Sequence, residues 1–236
     1  MHTFHEIWRG LDWSYLIELA LSVVPALLCI TLHECAHGWA AHRLGDDTAK
    51  RMGRLTLNPL KHIDLIGLAM MVLFHFGWAK PVPVDMRKFK NPKRDMAITA
   101  AAGPLMNLLI CAAAMFLYGL VLPLAFFKES AALAYLSQGL YLTAYLSLAL
   151  ALFNIIPIPP LDGSKVLYSL LPDRSYMRLM RYERYGMIAL LALIIIGSWT
   201  DLDPLGRATG WVFDRLYVFM SLGADCGKAL VLGMLG

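Results

Sequence analysis

The 236-residue chain is 58% apolar and 16% charged, and its mean hydropathy is +0.58. These values argue against an ordinary soluble domain and predict a membrane protein. The formal net charge of +4 is modest, and lysine and arginine are spread over loops rather than interleaved with aromatic side chains. This pattern argues against a nucleic-acid partner and leaves the anionic headgroups of a lipid bilayer as the natural counter-charge.

Apolar runs that cross about 30 Å of hydrocarbon need about 20 helical residues. Such runs are found at 14–42, 96–127, 131–156 and 184–200. The stretch 209–236 is also apolar, but charged residues interrupt it, so it is compatible with either a further span or an amphipathic helix in the interface. The runs predict an all-α polytopic membrane protein, a bundle of about four to six transmembrane helices.

The first predicted span carries an HExxH motif formed by His33, Glu34 and His37. The i, i+4 spacing puts both imidazoles on one face of a helix, where they can share a zinc ion with Glu34 beside them. Ionisable side chains are costly inside a spanning helix, which weakens the alternative that the two histidines are merely packed in a core. If the helix enters the hydrocarbon near Leu16, His33 lies about 26 Å further along the axis, close to the opposite boundary.

The segment from Leu65 to Trp78 is apolar but too short to span, and Pro81 and Pro83 then favour an extended chain. We predict a short re-entrant segment or β-hairpin on the cytoplasmic side. The two prolines share one parity of a strand. The N–H groups of Val82 and Val84 would therefore lie on a free edge that can bind the backbone of an extended substrate. The alternative is that the hairpin only plugs the mouth of the site.

The third predicted span ends in the sequence NIIPIPPLDG, residues 154–163. Its prolines break the helix and Gly163 permits an unusual turn, so Asp162 can reach a metal from irregular backbone that lines a cavity. A catalytic zinc typically has three protein ligands and keeps a fourth position for water. Two histidines and Asp162 meet that number. The alternative for Asp162 is an N-cap of the helix that begins near Gly163.

Basic residues orient these runs in the membrane. Most of the 21 Lys and Arg lie in two connecting segments, 43–94 and 165–184, which we therefore expect on the cytoplasmic side. The first span then ends at the cytoplasmic face, the second runs outward and the third returns. This topology brings the HExxH motif and Asp162 to the same boundary, provided that residues 65–78 do not cross the membrane.

Three other polar residues near the motifs are not assigned to the site. Asn58 precedes a proline and is expected to form a turn, and His62 is expected on the surface of the same loop. His75, in the predicted hairpin, is equally compatible with a position near the site and with snorkelling towards the interface.

These motifs resemble those of the site-2 proteases, a family of intramembrane zinc metalloproteases. Its members pair HExxH in one transmembrane helix with NxxPxPxLDG in a later one, and this chain has both, at 33–37 and 154–163. Residues 103–107 resemble the family's GxxxN element, and residues 53–64 resemble the short bacterial and archaeal members. The resemblance covers roughly 14–200 and is to members without an inserted PDZ-like domain or a C-terminal CBS-type domain.

The resemblance implies a single metalloprotease domain over residues 1–236, in a multi-pass protein of a prokaryotic cell membrane with its active site near the cytoplasmic face. It implies one zinc ion per chain, bound by His33, His37 and Asp162. Glu34 would act as general base and later pass the proton to the leaving amine.

The resemblance also implies that the substrates are single-span membrane proteins. Asn154 would hold the extended substrate backbone, and Asn107, in the GxxxN element, is a further candidate for substrate binding. A substrate helix hides its carbonyls in internal hydrogen bonds, so it must unwind locally before it is cut.

Two functions from other classes also fit histidine and aspartate inside a membrane. A catalytically silent scaffold would bind transmembrane segments without cutting them, but loss of a ligand or of Glu34 would be expected, and none is lost. A metal transporter would use the same ligands, but it would not need Glu34 between its two histidines.

Overall fold

The computed structural model describes residues 13–67, 79–179, 185–186, 188, 190, 192 and 204–235. In this part of the chain the secondary structure is helical, and strand pairing is limited to one isolated antiparallel bridge between Ile63 and Ala79. The α-helices are α1 (Trp13–Arg43), α2 (Thr48–Arg51), α3 (Pro92–Lys128), α4 (Ala131–Ile155), α5 (Asp162–Ser169), α6 (Pro204–Arg215) and α7 (Tyr217–Leu235). Two 3-10 turns, Pro59–Lys61 and Met86–Lys88, lie between α2 and α3, and residues 173–179 are also helical.

Four of the described helices, α1, α3, α4 and α7, are long and apolar enough to cross a membrane. The first three confirm the predicted spans at 14–42, 96–127 and 131–156, and with them the all-α polytopic class. The run 184–200 lies mostly outside the described residues. The C-terminal stretch is divided between α6 and α7, and the length and composition of α7 favour a further span over an interfacial helix.

Helix α3 lies at the centre of the bundle, where it packs against α1, α4 and α7. Its contact with α7 depends on glycine, because a Cβ added at Gly119 would lie 2.0 Å from the Met220 carbonyl oxygen, and one at Gly223 would lie 2.0 Å from that of Phe116. Small residues of this kind allow two helix backbones to approach closely in a membrane. The buried contact between α3 and α4 is formed by Cys111, Ala114, Met115, Ala144 and Leu148.

The chain folds back sharply after α4. Prolines 157, 159 and 160 prevent the helix from continuing, and residues 156–161 form an irregular loop. Gly163 makes the return possible, since an added Cβ would lie 2.0 Å from the Ile155 carbonyl oxygen. Helix α5 therefore begins against the last turn of α4 with Asp162 as its first residue. The N-cap residue is Leu161, so the alternative that Asp162 only caps this helix is wrong.

The predicted re-entrant segment or β-hairpin falls mainly on residues 68–78. These residues, His75 among them, lie outside the part of the chain that the structure describes. The chain is described again from Ala79, where the bridge to Ile63 is followed by a hydrogen bond from the Lys80 N–H to the His62 carbonyl oxygen, at 2.9 Å. From there, residues 80–85 have no regular secondary structure. We call them the proline segment, and they pass directly beside α1.

Candidate metal centre

The side chains of His33, His37 and Asp162 meet between α1 and the start of α5. The two Nε2 atoms are 3.0 Å apart, and Asp162 Oδ2 is 3.2 Å from that of His33 and 3.1 Å from that of His37. All three residues are buried. Ligand atoms held about 2.0–2.1 Å from a tetrahedral zinc lie roughly 3.3 Å from one another. The triangle is therefore close to the size that one zinc ion requires, and these three residues form a group that could hold a metal.

The hydrogen bonds around the triangle leave electron pairs pointing into it. His37 Nδ1 is 2.7 Å from the Thr99 carbonyl oxygen, which can only accept, so Nδ1 carries the hydrogen and Nε2 of the neutral ring does not. Asp162 Oδ2 is buried, and the described polar atoms beside it are the two histidine Nε2 atoms, which cannot donate to it when the Nδ1 atoms carry the ring hydrogens. Electron-pair donors in a buried site repel one another unless a cation lies between them. The residues therefore fit a bound metal ion.

Asn107 contacts the other histidine. Its Nδ2 lies 3.1 Å from His33 Nδ1, and its buried Oδ1 has no partner in the described part of the chain. Turning the amide by 180° places Oδ1 where it accepts the Nδ1–H and leaves His33 Nε2 free for a metal. Ser147 Oγ donates to the Asn107 carbonyl at 2.9 Å. We expected Asn107 to bind substrate, but its fully buried side chain lies behind His33.

Gly103 allows α3 to approach both histidines. A Cβ added there would lie 2.5 Å from Cε1 and Nε2 of His37 and 2.6 Å from Cε1 of His33. No side chain fits in that space, so only glycine at position 103 allows α3 to lie this close to the two rings. The only sequence signal for this role is the GxxxN element, which by itself also fits simple helix packing.

Glu34 lies beside the triangle, and its Oε2 accepts a hydrogen bond of 2.8 Å from the Val82 N–H. The prediction that this N–H lies on a free edge is therefore wrong. The reason is close packing of the proline segment on α1: Gly38, one turn after Glu34, leaves so little space that an added Cβ would lie 3.2 Å from Val82 Cγ1. The Val84 N–H, in contrast, makes no hydrogen bond to another described residue.

A cavity of about 340 Å³ opens onto the three candidate ligands and Glu34. Its wall is mostly apolar, and it includes Val82, Val84 and Asn154, three of the four residues predicted to bind substrate. The Asn154 amide donates to the Leu150 carbonyl at 2.9 Å, so α4 fixes its orientation. Asn107 is not among the described residues of the wall.

His62 is not on the surface, as the sequence suggested, but is 1% exposed. Its Nε2 lies 2.9 Å from the Thr56 carbonyl oxygen, which also accepts from Cys35 Sγ at 2.9 Å. The preceding turn agrees with the expectation, since Asn58 caps the 3-10 helix by accepting from the Leu60 N–H at 3.0 Å. A loop that looks hydrophilic in sequence is thus packed against the HExxH helix.

Comparison with known proteins gives a consistent result. Residues 22–197 match the family described as peptidase family M50. "Putative zinc metalloprotease YwhC" of Bacillus subtilis is 39% identical over 193 residues, which cover 80% of this chain and 83% of that protein. "Putative zinc metalloprotease Rip2" of Mycolicibacterium smegmatis is 29% identical over 87% of this chain and 75% of its own length. No solved structure matches the chain.

Proposed function

The chain belongs to peptidase family M50, and from this premise we propose that it is a zinc metalloendopeptidase that cuts peptide bonds within or beside the membrane. The observation that carries the proposal is the buried triangle of His33, His37 and Asp162, whose electron-pair donors converge at the spacing of a zinc site. The names of the two relatives support zinc as the metal.

His33 Nε2, His37 Nε2 and Asp162 Oδ2 would hold the zinc ion, and three protein ligands leave a position for water. When bound, zinc supplies a Lewis acid that acidifies a water and polarises the scissile carbonyl. The Thr99 carbonyl and Asn107 keep both imidazoles in the orientation that the metal requires. Outer contacts of this kind fix the tautomer and the direction of a ligating ring.

Glu34 is the proposed general base. Its Oε2 is held by the Val82 N–H, which leaves Oε1 to take the proton of the attacking water. The water oxygen adds to the carbonyl carbon, the C–N bond breaks, and Glu34 returns the proton to the leaving amine. Hydrolysis is then balanced without any further reactant.

The substrates that this site supports are transmembrane or membrane-proximal segments of single-span proteins. The cavity is mostly apolar and lies in a bundle with four helices long enough to span, counted over the described residues. We propose that Asn154 and the Val84 N–H bind the unwound substrate backbone. Val84 replaces Val82 as the candidate donor because Glu34 already uses the N–H at 82.

The proposed location is a prokaryotic cell membrane with the active site at the cytoplasmic face. The support comes from the basic residues of segments 43–94 and 165–184, the first of which follows the HExxH motif in sequence and the second of which follows Asp162. Segment 43–94 begins at the last residue of α1, six residues after His37, and segment 165–184 begins within α5, three residues after Asp162.

The test is cleavage of candidate single-span proteins in vesicles by the wild type and Glu34→Gln. We expect Glu34→Gln to lower turnover at least about 100-fold because proton transfer is lost, with zinc content and folding nearly unchanged. Glu129→Gln, an exposed change of the same kind at the far end of α3, is the control and should cut normally. Near-normal turnover by Glu34→Gln would contradict the role of Glu34 as general base. Continued metal movement by Glu34→Gln without cleavage by either protein would instead favour a transporter.

A further inference from the structure

The proline segment cannot hold its own position, because prolines 81 and 83 supply no N–H for a strand ladder. Arg54 holds its first part instead. Nη2 of Arg54 donates to the Lys80 carbonyl at 2.7 Å and to the Pro81 carbonyl at 3.3 Å. The arginine is 7% exposed, so its charge has been taken out of water to make these contacts.

Asp46 holds the other end of the segment. Its Oδ2 accepts a hydrogen bond of 2.6 Å from the Asp85 N–H. The carboxylate is fully buried, accepts from the Thr48 N–H at 2.9 Å and lies 3.4 Å from Lys88 Nζ. Both ends of the segment are therefore fixed by buried, charged side chains on either side of α2, Asp46 before this helix and Arg54 after it.

Val82 lies between these two fixed points. Its N–H reaches Glu34 Oε2 at 2.8 Å, and its side chain packs against Gly38 on the same helix. A shift of about 1 Å in the backbone at 80–81 would lengthen that hydrogen bond beyond the usual limit of about 3.2 Å. The placement of the Val82 N–H on Glu34 thus depends on the carbonyl contacts of Arg54.

We propose that Arg54 is a positioning residue for Glu34: it fixes the backbone at residues 80–81, so that the Val82 N–H holds one oxygen of the general base. The inference rests on the proposed function of Glu34. Arginine suits this task because both bonds come from one nitrogen, Nη2, whose two hydrogens are held in the plane of a rigid guanidinium, whereas the ammonium group of lysine rotates on a flexible chain. Burying an arginine is unfavourable unless its hydrogen bonds are made, and because Arg54 Nε has no acceptor among the described residues, the bonds from Nη2 to the two carbonyls are what offset this cost.

Amide hydrogen exchange of the purified protein tests the positioning without any substrate. Between residues 80 and 85 the prolines have no amide, so only Lys80, Val82, Val84 and Asp85 contribute. We expect Arg54→Met to speed exchange at the Val82 amide at least tenfold. Glu34→Ala should have the same effect, because it removes the acceptor of that amide's hydrogen bond. Arg51→Met, the same change at a largely exposed side chain, should leave that rate within twofold of wild type.

Arg54→Lys covers the case in which Arg54→Met does not fold, and it should give a smaller rise in exchange. The inference would be overturned if the Val82 amide became less protected in Glu34→Ala but kept its wild-type exchange rate in either Arg54 variant. Unchanged protection in Glu34→Ala would overturn it as well, because the hydrogen bond itself would then be absent.

Turnover supplies a second readout through a double-mutant cycle. Val82→Pro removes the N–H, and Val82→Ala removes packing but keeps the N–H. If Arg54 acts through this N–H, Arg54→Met and Val82→Pro should each lower kcat about tenfold or more with KM within about twofold. Together they should lower kcat no further than either alone. If the two reductions in kcat multiply in the double variant, Arg54 has a separate structural role.

Absence of Glu34-dependent cleavage in the wild type would count against the proposed function. The exchange rates at the Val82 amide would still decide whether Arg54 positions that N–H.

Discussion

Replacing Gly103 by alanine tests the metal centre without changing a ligand. The added Cβ would lie 2.5 Å from two atoms of the His37 ring and 2.6 Å from Cε1 of His33. An ordinary contact of about 3.4 Å requires the rings, or the whole of α3, to move by about 0.9 Å. Zinc sites keep ligand distances within about 0.2 Å. The displacement is several times that tolerance, so we expect zinc affinity to fall at least about 100-fold.

Helix propensity acts in the opposite direction and helps to isolate the collision. Alanine is about 1 kcal/mol more favourable than glycine in a helix interior, so the substitution would stabilise α3 if space allowed it. Gly210→Ala in α6 is the matched control, because a Cβ at Gly210 has no described neighbour within 4 Å. The control should keep its zinc and gain slightly in stability.

The assay is competition for zinc between the purified protein in detergent and a chromophoric chelator, with metal content measured by mass spectrometry. Wild type and Gly210→Ala should compete equally well, and Gly103→Ala should lose its zinc to a far weaker chelator. If Gly103→Ala retains wild-type affinity, the two imidazoles do not bind zinc in the positions that the structure gives them.

Further predictions follow from the residues around the centre. Asn107→Ala should lower zinc affinity about 10- to 100-fold, because His33 loses the group that orients it; unchanged affinity in the same competition assay would contradict this role. Burial alone would raise the pKa of Asp46, but hydrogen bonds from Thr48 and from the Asp85 N–H, together with Lys88, lower it below its usual value. Its contribution is therefore present at neutral pH and lost as the pH falls through the depressed pKa. Asp46→Asn should be about 1–2 kcal/mol less stable at pH 7, and in unfolding measurements the gap to wild type should narrow below about pH 4. Cysteines at positions 61 and 88 should be labelled from the same side of the membrane, and labelling from opposite sides would contradict the fold.

The sequence was sufficient for the three long helices α1, α3 and α4 and for the meeting of the candidate ligands. The spacing of His33 and His37 places both on one helical face whatever surrounds them. Prolines and Gly163 indicated a break where Asp162 could turn towards the histidines. These signals are local or depend on residue type, so they can be read without knowledge of the packing.

The surroundings of the ligands could not be predicted in the same way. Arg54 and His62 lie in a loop with an ordinary polar composition, and only tertiary contacts bury them against α1. The alternation of prolines at 81 and 83 predicts that the Val82 N–H lies on the free edge of a strand. The close approach of Val82 to Gly38 instead places this N–H on Glu34. The sequence predicts Asn107 as a substrate contact, but it does not reveal which side of His33 an α3 residue faces, and Asn107 is buried behind that ring.

X-ray absorption at the zinc edge of the purified wild-type protein tests the central claim most directly. We predict about one zinc per chain, with two histidine nitrogens and oxygen ligands near 2.0–2.2 Å and no sulfur. The signal should disappear in the combined His33→Ala and His37→Ala variant. A sulfur ligand near 2.3 Å, or zinc that persists unchanged in that variant, would contradict the assignment of the metal to His33, His37 and Asp162.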